Sequence, residues 1–394
     1  MTSSTKTYDV VIIGGGIHGV GVAQAAAAAG YSVLVIEQKS LAHGTSSKSS
    51  KLIHGGLRYL ETAQFRLVFE CLSERAKLLK LAPGLVRLEP FNIPIYKHTR
   101  RKSWEIFAGL SLYTLLGLMR PSALFERVPK SQWNDLDGLD TENLLSVFRY
   151  NDGATDDTAL TRAVMKSAQT LGAELAMPAE FISAEPQDDF NEIKYSVAGT
   201  EHECRARLLV NATGPWANTV LDKISSNPEK LPFDLISGTH IVIDEPAPKG
   251  MYYVEAPQDG RAVFVMPWKG LTLIGTTETK YEGDPSLVEP LEKEIEYLCK
   301  VAAEYFPKFK SIRPNNITES FAGLRVLPHA KGLAFSRPRE TTFHVDSKRA
   351  KRVVTIYGGK LTAYRTTSEK LVSKFSRLLP KRKRKAHTSN LKLS

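Results

Sequence analysis

Gly14, Gly16 and Gly19 follow an apolar run with the spacing G-x-G-x-x-G, and an acid, Glu37, stands 18 residues past the last of them. Glycines so placed allow a tight turn, let backbone approach a pyrophosphate and permit close contact between helix and strand. The helix that follows offers unpaired N–H groups to phosphate. A carboxylate at the Glu37 position accepts hydrogen bonds from a ribose and repels a 2′-phosphate. Together these residues describe a dinucleotide site; a purely structural glycine turn is the alternative. Residues 43–61, HGTSSKSSKLIHGGLRYLE, are dense in hydroxyls and glycines. That composition suits the lining of a pyrophosphate and a ribityl chain better than a core, with a flexible serine-rich loop as the plain alternative. Near the end of the chain, Gly358-Gly359-Lys360 opens the last helix. A helix N-terminus aimed at a flavin ring stabilises the negative charge that develops there on reduction. One glycine turn suits NAD or FAD alike, whereas three separated small-residue segments favour the longer FAD.

Those residues need elements to hold them. Tyr8–Ile13 is a short continuous apolar run, the pattern of a strand buried on both faces. Ala23 and Ala25–Ala29 predict a helix that ends at Gly30 and packs closely on a sheet, and Ser32–Glu37 predicts a second strand. Strand, glycine turn, helix and strand in about 30 residues open a βαβ unit. The pattern is helical from past residue 60 to Leu81, over Ala159–Leu171, over Leu287–Phe306 and over Leu361–Leu378. Leu208–Ala212 predicts a further buried strand, ended by TGPW. Between residues 236 and 276, HIVID, MYYVEA, AVFVMPW and LTLIGTT, with a turn at Lys269-Gly270, predict an antiparallel sheet. The expected fold class is therefore α/β. A Rossmann-like cofactor domain (about 1–80, 150–235 and 320–378) is interleaved with a smaller antiparallel-sheet substrate domain (81–149 and 236–319), and a basic tail, 379–394, follows.

The 394-residue chain is 42% hydrophobic and 24% charged, which fits a folded globular protein and excludes a disordered or fibrous one. Its formal charge of +11 is concentrated at one end: residues 381–394 hold six basic residues and no acid, leaving 47 basic and 42 acidic residues in the other 380. So mild a body charge, with no nucleic-acid module in view, argues against nucleic acid as a partner. Cys71, Cys204 and Cys299 are widely spaced, form neither a metal pattern nor a disulfide framework, and suit a reducing compartment. The N-terminus has no apolar signal segment, so a cytoplasmic location is expected. The longest uncharged apolar stretch, Ile106–Met119, is about 14 residues, too short to cross a bilayer. With Arg100, Arg101 and Lys102 before it, and with the KRKRK tail, it makes an anionic membrane surface a candidate partner. An ordinary core helix and a solvated tail are the alternatives.

IIGGGIHGVG, TSSKSSKLIHGGLRYLE, VNATGPW, VFVMPW, IGTTE, GLRVLP and YGGKLTAYR occur in that order. Over about Tyr8–Lys370 the chain closely resembles the FAD-dependent glycerol-3-phosphate dehydrogenases, members of the D-amino-acid-oxidase-like flavoproteins. SSKLIHGGLRYLE is far more specific than the glycine motif. The resemblance implies FAD as cofactor and oxidation of sn-glycerol 3-phosphate to dihydroxyacetone phosphate by hydride transfer to flavin N5. It further implies reoxidation by a membrane quinone. Cofactor contacts are implied for Gly14, Gly16, Gly19 and Glu37, for Thr45, Ser46, Ser50, Leu52 and Gly55, for Gly214, and for Gly359, Lys360, Leu361 and Thr362. Arg58, Arg325, Arg337 and Lys360 match substrate-site segments, Arg337 in the looser match SRPRE with Arg339 close by. Such a set suits a phosphate dianion, which needs concentrated positive charge and bidentate guanidinium groups. Tyr59 and Thr276 match positions that line the substrate pocket. Loss of the C2 hydroxyl proton needs a base. His240 in SGTHIVI is the candidate, with Arg325 stabilising the developing alkoxide; a hydrogen-bonded sheet histidine is the alternative. His54 is read as structural or flavin-contacting, with no covalent flavin link.

Two departures stand out. Longer members carry an extra C-terminal helical domain of on the order of 100 residues, whereas this sequence stops soon after the last helix, which leaves oligomeric state and quinone coupling open. His18 stands where an asparagine is expected. Two competing readings follow. One is an oxidase of the same fold acting on an amine or another hydroxy acid with oxygen as acceptor, against which three arginines and a lysine argue. The other is a non-catalytic flavin-binding membrane-surface protein, against which the presence of Arg58, His240, Arg325 and Lys360 argues.

Overall fold

The computed structural model describes residues 5–246, 248–312, 316–329 and 341–394, so Arg337 and Arg339 lie outside the described residues. From Tyr8 onward the first strand is buried on both faces, and apolar on both from Val10, as only an inner strand of a covered sheet is. Lys6–Ile13 accordingly pairs in parallel with Val33–Ile36 on one side and Thr200–Asn211 on the other, and Val353–Tyr357 extends the parallel set. Four further strands complete a first sheet of eight. Helices Ile17–Ala28, Asp157–Thr170 and Tyr364–Phe375 share one core with alternate side chains of these strands. The first of them is buried nearly all round, and a Cβ on Gly21 would lie 2.6 Å from Ser368 Oγ of the last.

Register decides where a ligand can sit. Ile13 pairs with Ile36 and Asn211, and Asn211 pairs with Thr355. Gly14, Glu37, Ala212 and Gly358 therefore leave the same carboxyl edge of four adjacent strands, the edge at which open parallel sheets bind ligands.

A second, largely antiparallel sheet of ten strands runs from Thr279–Tyr281 through Phe233–Pro246, Leu271–Gly275, Ala262–Trp268, Met251–Glu255, Val86–Tyr96 and Leu144–Thr155 to Leu52–Ile53. Ile317–Pro328 pairs along Phe233–Pro246, so Arg325 rides on this second sheet, and the chain rejoins the first sheet only at Thr342–His344. Leu144–Thr155 likewise runs straight through the division expected at residue 150. The helix expected from Leu287 starts at Glu292, beyond Pro290. The last helix starts at Tyr364, because Gly358 and Gly359 hold positive φ in the turn before it.

Helix Ser103–Leu116 contains most of the apolar stretch but buries only Leu110, Tyr113 and Thr114. Among the described residues no helix is long and apolar enough to cross a membrane. The basic tail is packed on protein. Lys385 donates its backbone N–H to Ala28 O and its ammonium to Leu171 O, at the carboxyl ends of two helices, where the helix dipole favours a cation. Arg382 pairs with buried Asp9, and Leu393 is buried; Lys381, Lys383 and Arg384 stay exposed.

Candidate active site

A cavity of about 1100 Å³ runs along the carboxyl edge of the first sheet and into the face of the second. One end is walled by backbone. Gly14 takes a φ of 104°, and a Cβ there would lie 2.9 Å from Ala212 O. Gly16 and His18 line the cavity, but Gly19 does not. A Cβ on Gly19 would fall 1.9 Å from Gly14 O, so the third glycine acts by letting the helix begin against the loop. Glu37 accepts the Gly15 N–H at 2.6 Å, which lays its carboxylate against the glycine turn. Ser46 Oγ accepts the Ile17 N–H at 2.9 Å, and Thr45 Oγ1 donates to Leu324 O at 2.7 Å. The hydroxyl-rich segment thereby ties the helix start to the second sheet. Leu52, Gly214, Gly359, Leu361 and Thr362 also line the wall, and Thr362 Oγ1 donates to His54 O. Gly359 has a φ of 123°, and a Cβ there would lie 2.0 Å from His18 Nε2. Burial pushes His18 down to about 4, so its ring is neutral.

The other end is walled by charge. Arg58, Tyr59, Thr276, Glu278, Arg325 and Lys360 all line it. Lys360 Nζ lies 3.6 Å from the centre of the Tyr59 ring, with the Arg58 guanidinium 6.0 Å from the same ring. Arg325 donates to Thr276 Oγ1 at 3.2 Å and to Thr277 O at 3.4 Å. A Cβ on Gly238 would lie 2.7 Å from that guanidinium, so this glycine makes room for it. Glu278 Oε1 stands 3.9 Å from Arg58 Nη1 and 3.8 Å from Arg325 Nη1.

These two ends define the chemistry the cavity can hold. Its volume exceeds the roughly 1,000 Å³ upper range for drug-sized ligands. Its bare glycines, helix N-terminus and hydroxyls fit a long dinucleotide. A model of the family described as "FAD dependent oxidoreductase" matches residues 9–365. The chain belongs to this family. Its cofactor is FAD. The chain is 36% identical over 377 residues to the aerobic glycerol-3-phosphate dehydrogenase of Escherichia coli (strain K12), which covers 94% of this chain and 74% of that one. It is 33% identical over 384 residues to the D-erythritol 1-phosphate dehydrogenase of Brucella abortus (strain 2308), with 95% and 75% covered. Among solved structures, the glycerol-3-phosphate dehydrogenase from Bacillus halodurans complexed with FAD superimposes with a TM-score of 0.77 at 27% identity, covering 99% of this chain and 68% of that one.

Within this FAD dependent oxidoreductase, two residues besides Gly19 that were expected at the site stand back from it. Gly55 does not line the cavity: its N–H donates to Asp152 at 2.9 Å, and a Cβ on it would strike the Tyr113 hydroxyl at 2.0 Å. His240 is buried and also absent from the wall. Its Nε2 shares a 2.9 Å hydrogen bond with Ser50 Oγ, which does line the cavity, and its ring stacks on Phe321 at 5.0 Å. Direct contact between His240 and a ligand, expected of a base, is therefore replaced by contact through Ser50.

The residues that reading the sequence missed are mostly acids. Asp152 is buried against Arg75 at 2.7 Å and accepts the N–H groups of Gly55 and Gly153, which fixes the turn leading to Arg58 and Tyr59. Asp157 binds Lys51 at 2.9 Å and Ser49 Oγ at 2.6 Å, anchoring the hydroxyl-rich segment to a helix start. Glu278 was visible only as the last letter of IGTTE. No spacing rule pairs an acid at 278 with arginines at 58 and 325; only the folded contact does.

Proposed function

We propose that this chain oxidises sn-glycerol 3-phosphate to dihydroxyacetone phosphate, with FAD as the immediate acceptor and a quinone at a membrane surface as the next. The observation that carries this reading is the convergence of Arg58, Arg325 and Lys360 on one end of an FAD-sized cavity. A phosphate monoester carries close to two negative charges at neutral pH, and guanidinium forks match its oxygens bidentately. A carboxylate substrate needs less positive charge than this. The relatives named for glycerol 3-phosphate and D-erythritol 1-phosphate support the same substrate class, a polyol with a phosphate ester.

In this reading Arg58 and Arg325 hold the phosphate, Lys360 adds a point charge, and Tyr59 and Thr276 shape the wall beside them. FAD, when bound, supplies the two-electron acceptor. The C2 hydroxyl proton leaves by way of Ser50, whose Oγ is hydrogen-bonded to His240 Nε2. Burial, with Arg325 and Lys51 nearby, pushes His240 down to about 3. The ring is therefore neutral at working pH, so Nε2 can accept the Ser50 O–H and orient Ser50 Oγ toward the C2 hydroxyl, while the same surroundings keep the ring from holding the proton for long.

Trp104 is 70% exposed and Phe107 55%, and Leu118 and Met119 follow them on the surface, flanked by exposed Arg100, Lys102 and Arg120. Apolar side chains ringed by cations suit an anionic bilayer interface, where a lipid-phase quinone is at hand. Binding to vesicles of anionic lipid, with a blue shift of Trp104 fluorescence, checks this part. Loss of binding in a Trp104→Ser/Phe107→Ser variant is expected.

The substrate test is anaerobic. Adding sn-glycerol 3-phosphate to the flavin-loaded protein is expected to bleach the flavin absorbance, and glycerol is expected to leave it unchanged. Bleaching by D-erythritol 1-phosphate alone would move the substrate to the longer polyol phosphate. Bleaching by neither phosphate would end the reading.

A further inference from the structure

Glu278 lines the charged end of the cavity with only 6% of its side chain exposed. It follows the strand Leu271–Gly275, and it reaches Arg58 from the turn Leu57–Thr62 and Arg325 from the strand Ile317–Pro328. An acid in this place is a physical puzzle, because it repels the phosphate that the same arginines attract. Two guanidinium groups sharing a poorly solvated pocket also repel each other, and a carboxylate between them relieves that repulsion. Both contacts, 3.8 and 3.9 Å, are longer than the 2.7–3.2 Å of a hydrogen bond. At that range the carboxylate neutralises the pair without being locked to either fork. Arg325 already has hydrogen bonds to Thr276 and Thr277, so its placement does not depend on the acid alone.

We propose that Glu278 is an internal competitor for the phosphate: a counter-ion that occupies the arginine pair in the empty site and yields it when a phosphate monoester enters. The inference rests on the phosphate reading above. Its consequence is kinetic. Substrate and product both carry the phosphate, so arginines without a counter-ion grip both, and Glu278 weakens that uniform grip and speeds release. Removing its charge is therefore expected to lower KM and kcat together, as product release slows.

The experiment measures inorganic phosphate as a competitor of sn-glycerol 3-phosphate in the flavin-loaded full chain. Glu278→Gln is expected to bind phosphate at least about tenfold more tightly than wild type, with the gain shrinking as salt rises. KM for the substrate is expected to fall, and kcat with it. Glu278→Asp, whose carboxylate is drawn back by one methylene, is expected to lie between the two. Equal or weaker phosphate binding in Glu278→Gln at unchanged flavin content would overturn the proposal. If that variant does not retain flavin, Glu278→Asp decides alone: tighter binding than wild type supports the proposal, and equal or weaker binding overturns it. No competition by phosphate in the wild type would instead bring down the phosphate reading, and the inference with it.

Discussion

At the Glu37 end of the cavity the wall is backbone: Gly14 to Gly16, the helix start at Ile17, and the turns at Gly214 and Gly359. At the Arg325 end it is side-chain charge, gathered from Arg58, Glu278, Arg325 and Lys360. The first end is made by what is absent, since the missing Cβ atoms set its shape. The second is made by what is present, and its shape depends on which charges balance. A backbone wall fails by steric overlap, all at once. A charged wall fails by degrees and responds to salt and pH.

The sharpest way to break the comparison is at the backbone end. Gly19→Ala puts a Cβ 1.9 Å from Gly14 O, and neither atom can move without shifting the helix or the strand. We expect a cost on the order of 4 kcal/mol or more and loss of bound flavin, read from absorbance of the purified protein. Full flavin occupancy in this variant would show that the loop yields where the geometry says it cannot.

At the charged end the counterpart is Arg325→Ala. It removes one side of the proposed phosphate grip and one of the two guanidinium groups that stand beside Glu278. We expect kcat/KM to fall roughly 10²- to 10³-fold, equivalent to about 3–4 kcal/mol, with flavin content unchanged. Arg325→Lys is expected to recover only part of this, because an ammonium lacks the planar fork. Flavin loss in Arg325→Ala would mean that the two ends are not separable.

The same contrast explains what the sequence revealed and what it hid. Gly14, Gly16, Gly19 and Glu37 were legible because their function follows from local geometry: two strands, one turn and one helix, consecutive in the chain, place all of them. The parallel core strands were legible as unbroken apolar runs. The charged end was legible only as residue types. Arg58 and Arg325 could be named, but their meeting depends on the pairing of Ile317–Pro328 along Phe233–Pro246, a register that no local pattern encodes. His240 was misplaced for a related reason. A histidine on an apolar strand faces either a cavity or a core, and only the folded contacts, stacking on Phe321 and a hydrogen bond to Ser50, place it just behind the cavity wall.

Acid acts on both ends by one mechanism. His18 in the backbone wall and His240 behind the charged wall are held neutral by burial, at about 4 and about 3 against an ordinary 6.5. Below pH 6.5 the unfolded chain takes up protons that the folded chain refuses. Each histidine's contribution is therefore intact above pH 6.5 and is lost as pH falls toward the folded value, about 2 kcal/mol apiece at pH 5. Urea unfolding of the flavin-free protein is expected to show this loss, and His18→Asn is expected to halve it. A pH-independent midpoint between 7 and 5 would mean that neither ring is sealed from water.

The smallest effect lies where the two ends join. Ser50 comes from the hydroxyl-rich segment that reads as cofactor lining, yet its hydrogen bond runs to His240 on the second sheet. If the backbone wall only holds and the charged wall only grips, Ser50→Ala costs nothing in turnover. If Ser50 connects the cavity to the imidazole, the proton loses its path while flavin and phosphate stay bound. We expect the second outcome: kcat lower by about tenfold, near 1.4 kcal/mol, with KM and flavin content unchanged. An unchanged kcat would cut His240 out of the proton path and leave it as core packing, with the hydroxyl proton passing to a group on the cavity wall itself.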